Sequence, residues 1–179
     1  MTERKILVAV DLQKDFIDGA LGTAEAEAII PAAAERIREA REAGADIFAT
    51  LDTHEADYMQ TQEGKRLPVP HCIRGTDGWQ LHPMIREALG ANCTMVEKPT
   101  FGSVRLPELI RERIGQGNDA TIELLGLCTD ICVVSNALLL KAAFPEAIIR
   151  VSSTCCAGVT PEKHRAALET MASCQIDIL

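Results

Sequence analysis

The chain has 179 residues, 47% of them hydrophobic, 25% charged and 3% aromatic, a composition too apolar for a disordered chain and of a length that suits one domain, expected over residues 1–179. Eighteen basic against twenty-six acidic side chains leave a net charge of -8, which repels phosphates and anionic lipid and so argues against nucleic acid and membranes as partners. The seven cysteines are odd in number, and the chain opens on charged Met1-Thr2-Glu3-Arg4-Lys5 without an apolar signal region. The reducing cytoplasm is the expected setting, where each thiol is a core filler, a metal ligand or a nucleophile.

Ile6-Leu7-Val8-Ala9-Val10 is a branched apolar run that suits a strand covered on both faces, and Asp11 ends it. Ala24 to Ala43 carries Ile29, Ile30, Ala33, Ile37 and Ala40 at helical spacing, with Gly44 where such a helix stops. Strands are expected at Asp46 to Leu51, Thr94 to Glu97, Thr121 to Leu127, Ala147 to Val151 and Gln175 to Ile178, and helices at Leu106 to Ile114, Asp130 to Ala143 and Pro161 to Ala172. This alternation implies an α/β fold with a mostly parallel sheet between helices. Thr53 to Met84 has no sustained period and is expected to be a long functional loop.

Ligands in such sheets gather beyond the carboxyl ends of the strands, where Asp11, Asp52, Lys98 and the Leu127-to-Cys132 turn are expected. In Gly126-Leu127-Cys128-Thr129-Asp130-Ile131-Cys132, the Thr-Asp pair can cap the following helix, which puts Cys132 in its first turn. Free N–H groups and the helix dipole there favour a thiolate and can hold an oxyanion, whereas a buried Cys132 could simply fill the core. A thiol attacking an amide also needs a proton acceptor, for which Asp11 is the best placed; otherwise Asp11 caps a turn. Lys98 could supply the cation that favours carboxylate and thiolate together, or could be solvated. Asp52 and His54, two apart on an extended segment, can grip one ion, with Glu63 and His71 following, Cys72 as a competing ligand, and zinc, iron or manganese as the suited metals. His82 and His164 have no partner visible in the sequence.

Taken together, "VDLQKDFIDGALGT" from Asp11's neighbourhood, "DTH" at Asp52 to His54, "PVPHCIRGTDG" around His71, "EKPTFGS" around Lys98 and "GLCTDICV" around Cys132 resemble the isochorismatase-like cysteine hydrolases over nearly the whole chain. The metal-site residues resemble the nicotinamidases within that superfamily. The resemblance implies a three-layer α/β/α, Rossmann-like fold with a six-stranded sheet. It implies a catalytic triad of Asp11, Lys98 and Cys132, a divalent metal, zinc first, on Asp52, His54 and His71, and Glu63 as a ligand found in some members only. It further implies a cis peptide at Leu127-Cys128, an oxyanion hole from the N–H groups of Cys128 and Cys132, and a homo-oligomer.

The implied reaction is hydrolysis of nicotinamide to the acid and ammonia. Nicotinamidases similar to this chain usually carry a large aromatic three residues before the last metal histidine, where Pro68 stands here. Phe16 and Phe101 are the candidate pocket walls, with Trp79 as a third. Two alternatives stay open: a metal-independent hydrolase of another small amide, carbamoyl or ureido compound, favoured by Pro68, and a non-catalytic thiol or metal-binding protein, suggested by the cysteines and the adjacent Cys155-Cys156.

Overall fold

A computed structural model describes residues 4–115 and 120–179. The expected domain 1–179 therefore includes residues 1–3, in the charged opening, and 116–119, which lie outside the described residues. Strand β1 (Arg4–Val10) runs through the centre because Ile6 to Val10 can face only apolar neighbours, and all five are buried. Each branched side chain so buried contributes about 1.5–3 kcal/mol. Around it lie β2 (Asp46–Asp52), β3 (Thr94–Lys98), β4 (Ala120–Leu127), β5 (Ile148–Ala157) and β6 (Asp177–Ile178). The sheet order is β3-β2-β1-β4-β5-β6, and every adjacent pair is parallel.

Parallel neighbours require crossovers, and these are the helices α2 (Ala24–Glu42), α4 (Pro83–Leu89), α5 (Leu106–Ile114), α6 (Val134–Ala143) and α7 (Pro161–Ser173). Helix α2 packs against α4 and β5, while α6 packs between α5 and α7, giving the α/β/α layers. Thr23 starts α2 by accepting the Ala26 N–H at 3.0 Å. Gly44 follows its end at φ 79, a left-handed conformation that glycine adopts without steric cost. No helix among the described residues is long and apolar enough to cross a membrane.

The structure corrects three expectations. The segment Thr53 to Met84 is broken by a 3-10 turn at Tyr58–Gln60 and by α3 (Gln62–Arg66), and α4 begins at its end; α1 (Lys14–Ile17) was likewise unforeseen. These pieces are too short to display an apolar period. Strand β5 runs six residues past Val151, because its polar continuation is satisfied within the fold: the Ser152 hydroxyl donates to Glu123 Oε1 at 2.6 Å. The expected helix from Asp130 is a π-helical turn, Thr129–Val133, followed by α6.

Candidate active site

The sheet order reverses between β1 and β4, which opens a crevice beyond their carboxyl ends. Register lines those ends up: Val10 lies beside both Thr50 and Gly126, and Asp52 beside Lys98. Asp11, immediately past β1, is bent to φ 48 and is fully buried. Its N–H donates to the Thr50 carbonyl at 3.2 Å, and the Thr50 hydroxyl donates to Oδ1 at 2.6 Å. The other oxygen, Oδ2, has no well-aligned hydrogen bond and meets Lys98 Nζ as an ion pair at 2.6 Å.

Lys98 is 1% exposed. Its ammonium donates to the Thr100 carbonyl at 3.0 Å and stands 3.3 Å from Asp52 Oδ1 and 3.6 Å from Cys132 Sγ. Burial works against the cation, but Asp11, Cys132 and Asp52 outweigh it and hold the ammonium charged. Burial pushes the Asp11 carboxyl up, with Lys98 opposing. At Cys132, burial and then the Asp11 charge push the thiol well up, again against Lys98. Burial and the neighbouring carboxylate thus work against the thiolate that a helix terminus favours, while Lys98 supports it.

The turn that carries Cys132 depends on Gly126, whose φ is 127 and where a side-chain carbon would lie 2.1 Å from the Val10 carbonyl oxygen. The following Leu127–Cys128 peptide is cis. Ile131 and Val133 both donate N–H groups to the Cys128 carbonyl, at 3.0 and 3.1 Å. Thr129 and Asp130 do not cap this turn. The Thr129 hydroxyl instead pairs with His164 Nδ1 at 2.8 Å, and Asp130 Oδ1 accepts the Val159 N–H at 2.9 Å, so both side chains tie the turn to α7 and the segment before it. His82 Nδ1 accepts the Met84 N–H at 3.3 Å, at the start of α4.

A second cluster adjoins the first. Candidate ligand atoms of Asp52, His54 and His71 all lie within 4.8 Å of one another, and all three residues are buried. Asp52 Oδ2 is 3.0 Å from His54 Nε2 and 3.5 Å from His71 Nε2, and Glu63 Oε1 is 3.7 Å from each imidazole Nε2. His71 Nδ1 is engaged by the Val69 carbonyl at 2.8 Å, which turns Nε2 toward the cluster. Burial opposes the charged form of Asp52, but hydrogen bonds from His54 and His71 and the charge of Lys98 hold its carboxyl below the usual range. Two imidazoles with one or two carboxylates fit zinc, and iron or manganese by the same donor chemistry. Cys72 is not part of this cluster: its thiol is buried and pushed up by burial, and its N–H donates to Asp15 Oδ2 at 2.7 Å.

Both clusters reach one cavity of about 230 Å³, lined by Asp52, Glu63 and His71 and by Cys128 and Cys132. Phe16 and Phe101 are walls, as expected, together with Leu67 and Ile131. Trp79 is not a wall; its indole N–H donates to the Thr53 hydroxyl at 2.9 Å, and its ring packs on the core. Leu67 faces the cavity beside Pro68. Sequence reasoning also passed over Gln13, which is fully buried. Its Oε1 accepts the Asp52 N–H at 2.7 Å, and Nε2 donates to the carbonyls of Asp52 and Trp79 at 2.8 and 2.9 Å, bracing the loop after β1 against the end of β2. The only available signal was a polar residue two positions past a candidate base.

A family model for the isochorismatase domain matches residues 5–179, and the chain belongs to that family. It is 26% identical to the nicotinamidase/pyrazinamidase of Mycobacterium tuberculosis over 189 aligned positions, covering 98% of both chains. Among solved structures it is similar to the pyrazinamidase of Pyrococcus horikoshii in complex with zinc, with a TM-score of 0.85, 27% identity and 98% of each chain covered. The nicotinamidase/pyrazinamidase of Bacillus subtilis gives 0.86 and 28% with the same coverage. Within its family the chain is thus nicotinamidase-like.

Proposed function

We propose that the protein is a metal-dependent cysteine amidohydrolase that converts nicotinamide to nicotinic acid and ammonia. The observation that carries this reading is the meeting of Asp11, Lys98 and Cys132 next to the Asp52, His54 and His71 cluster, with Cys132, Asp52 and His71 lining one cavity.

In this reading Asp11 Oδ2 takes the Cys132 proton as sulfur attacks the carbonyl carbon, and Lys98 balances the negative charge that passes between them. The N–H groups of Cys128 and Cys132 hold the oxyanion. Asp11 returns the proton to the departing nitrogen, ammonia leaves, and a thioester remains on Cys132. Asp11 then draws a proton from water as water attacks the thioester, and the acid departs as the sulfur is protonated again. Asp52, His54 and His71, with Glu63 as a further carboxylate, would hold a divalent ion, zinc first, that acts as a Lewis acid to bind and orient the substrate. Phe16 and Phe101 bound the space for a flat ring.

The reading places the enzyme in the cytoplasm as one domain that self-associates; the seven free cysteines suit a reducing compartment. Cys155 and Cys156 are both buried in β5, where they serve the core rather than a thiol site. A second reading, another small uncharged amide, is favoured by Pro68 and Leu67 in place of an aromatic wall. Ammonia release from a panel of amides, before and after chelation and with Cys132→Ala, separates the readings. Nicotinamide turnover lost in Cys132→Ala and after chelation is expected. Chelator-insensitive turnover of other amides alone supports the second reading, and full activity in Cys132→Ala removes both.

A further inference from the structure

Asn136 lies on α6 one turn beyond the nucleophile and is fully buried. Its Nδ2 donates to the Cys132 carbonyl at 2.8 Å and to the Phe101 carbonyl at 3.2 Å, and its Oδ1 accepts the Ser103 N–H at 2.9 Å. The Ser103 hydroxyl in turn accepts the Leu106 N–H at 3.2 Å, at the start of α5. Gly102 completes the contact, since a side-chain carbon there would lie 2.7 Å from Leu139 Cδ1 on α6. The segment between Lys98 and α5 is therefore fastened to the backbone of the nucleophile through one side-chain amide.

That segment carries two parts of the site. Phe101 is a cavity wall although its residue is 44% exposed, so its position is set through the backbone more than by burial of its ring. The Thr100 carbonyl accepts from Lys98 Nζ at 3.0 Å, which orients the ammonium next to Cys132. Asparagine is a poor helix former, and an apolar residue would fill a buried position without needing three partners. We propose that Asn136 is a positioning residue of the reaction, holding the Phe101 wall and the Lys98 support at a fixed distance from Cys132 and thereby favouring a flat ring amide. This deepens the nicotinamidase reading and rests on it.

Asn136→Thr and Asn136→Val test it. A threonine hydroxyl in a helix can bond the carbonyl four residues back, here that of Cys132, whereas neither side chain spans to the Phe101 segment. Hydrogen exchange over residues 99–105 and steady-state kinetics are measured on nicotinamide and on the smallest amide that the wild type hydrolyses. Both variants are expected to speed exchange in that segment about tenfold, since its amide anchor is gone. Both are expected to raise KM for nicotinamide about tenfold while KM for the small amide moves by less than about twofold. The valine variant is expected to lower kcat further, and Asn136→Ser serves the same comparison should the branched variants fail to fold. Folded variants with wild-type exchange, or with faster exchange and unchanged KM for nicotinamide, overturn the proposal. A wild type that hydrolyses no amide overturns the functional reading and this proposal with it, whereas an active wild type with indifferent variants overturns this proposal alone.

Discussion

A lysine at the end of a strand ordinarily reaches water, yet Lys98 is 1% exposed and sits between two carboxylates and a thiol. Removing one member of such a buried set leaves its partners uncompensated, at about 3–5 kcal/mol. In Lys98→Met, Asp11 and Asp52 lose their cation and the departing thiol proton leaves an unbalanced charge. The variant is therefore expected to unfold at lower temperature and to lose about 10²-fold or more in kcat/KM on nicotinamide at neutral pH. Steady-state rates measured below its own melting temperature separate the two effects, and a folded Lys98→Met with wild-type kcat/KM would remove Lys98 from the chemistry. That Asp11, Lys98 and Cys132 meet was legible because each stands at or just beyond a strand end in a distinctive short motif. Gln13 and Asn136 were not, since an amide side chain is identified by its partners, and Asp52 and Ser103 lie more than thirty positions away from them. The surroundings of the Cys132 sulfur were also illegible: a helix terminus favours a thiolate, whereas burial and the neighbouring Asp11, visible only in the fold, work against it.

At the scale of elements, the regular strands and helices were readable because their apolar periods are sustained, as at Ile6 to Val10 and in α2. The π-helical turn was not, because it depends on Gly126 passing close to Val10 and on Thr129 and Asp130 turning toward α7, all of which are tertiary contacts. Strand β4 also carries Glu123, held by Arg36 of α2 through two bonds at 2.7 and 2.6 Å and by the Ser152 hydroxyl of β5. Burial opposes its charge, but Arg36 and Ser152 prevail and hold the carboxyl below the ordinary glutamate range. A carboxyl depressed in the folded state binds more protons when unfolded. Its stabilisation is thus full above the ordinary glutamate range and is lost as pH falls through the lower folded value. Melting temperatures of wild type and Glu123→Gln across pH should show the wild-type advantage at neutrality shrinking in acid; a difference that stays constant would contradict this account.

For the whole molecule, the parallel sheet brings four strand ends to one edge, so that residues far apart in the chain share a cavity. This much was legible from the alternation of elements, while the loop that supplies Glu63, Leu67 and His71 is shaped by bonds with no sequence period, such as that from the Tyr58 hydroxyl to the Leu67 carbonyl at 2.9 Å. The account's central claim is that Cys132, relieved of its proton by Asp11, carries the acyl group between ammonia release and hydrolysis. Acid-quenched mass spectrometry during nicotinamide turnover tests it most directly. A nicotinoyl adduct on Cys132 that forms and decays with turnover, and that is absent from an inactive Cys132→Ala, is predicted. Sustained turnover with Cys132 unmodified at every time point, and retained in Cys132→Ala, would contradict it.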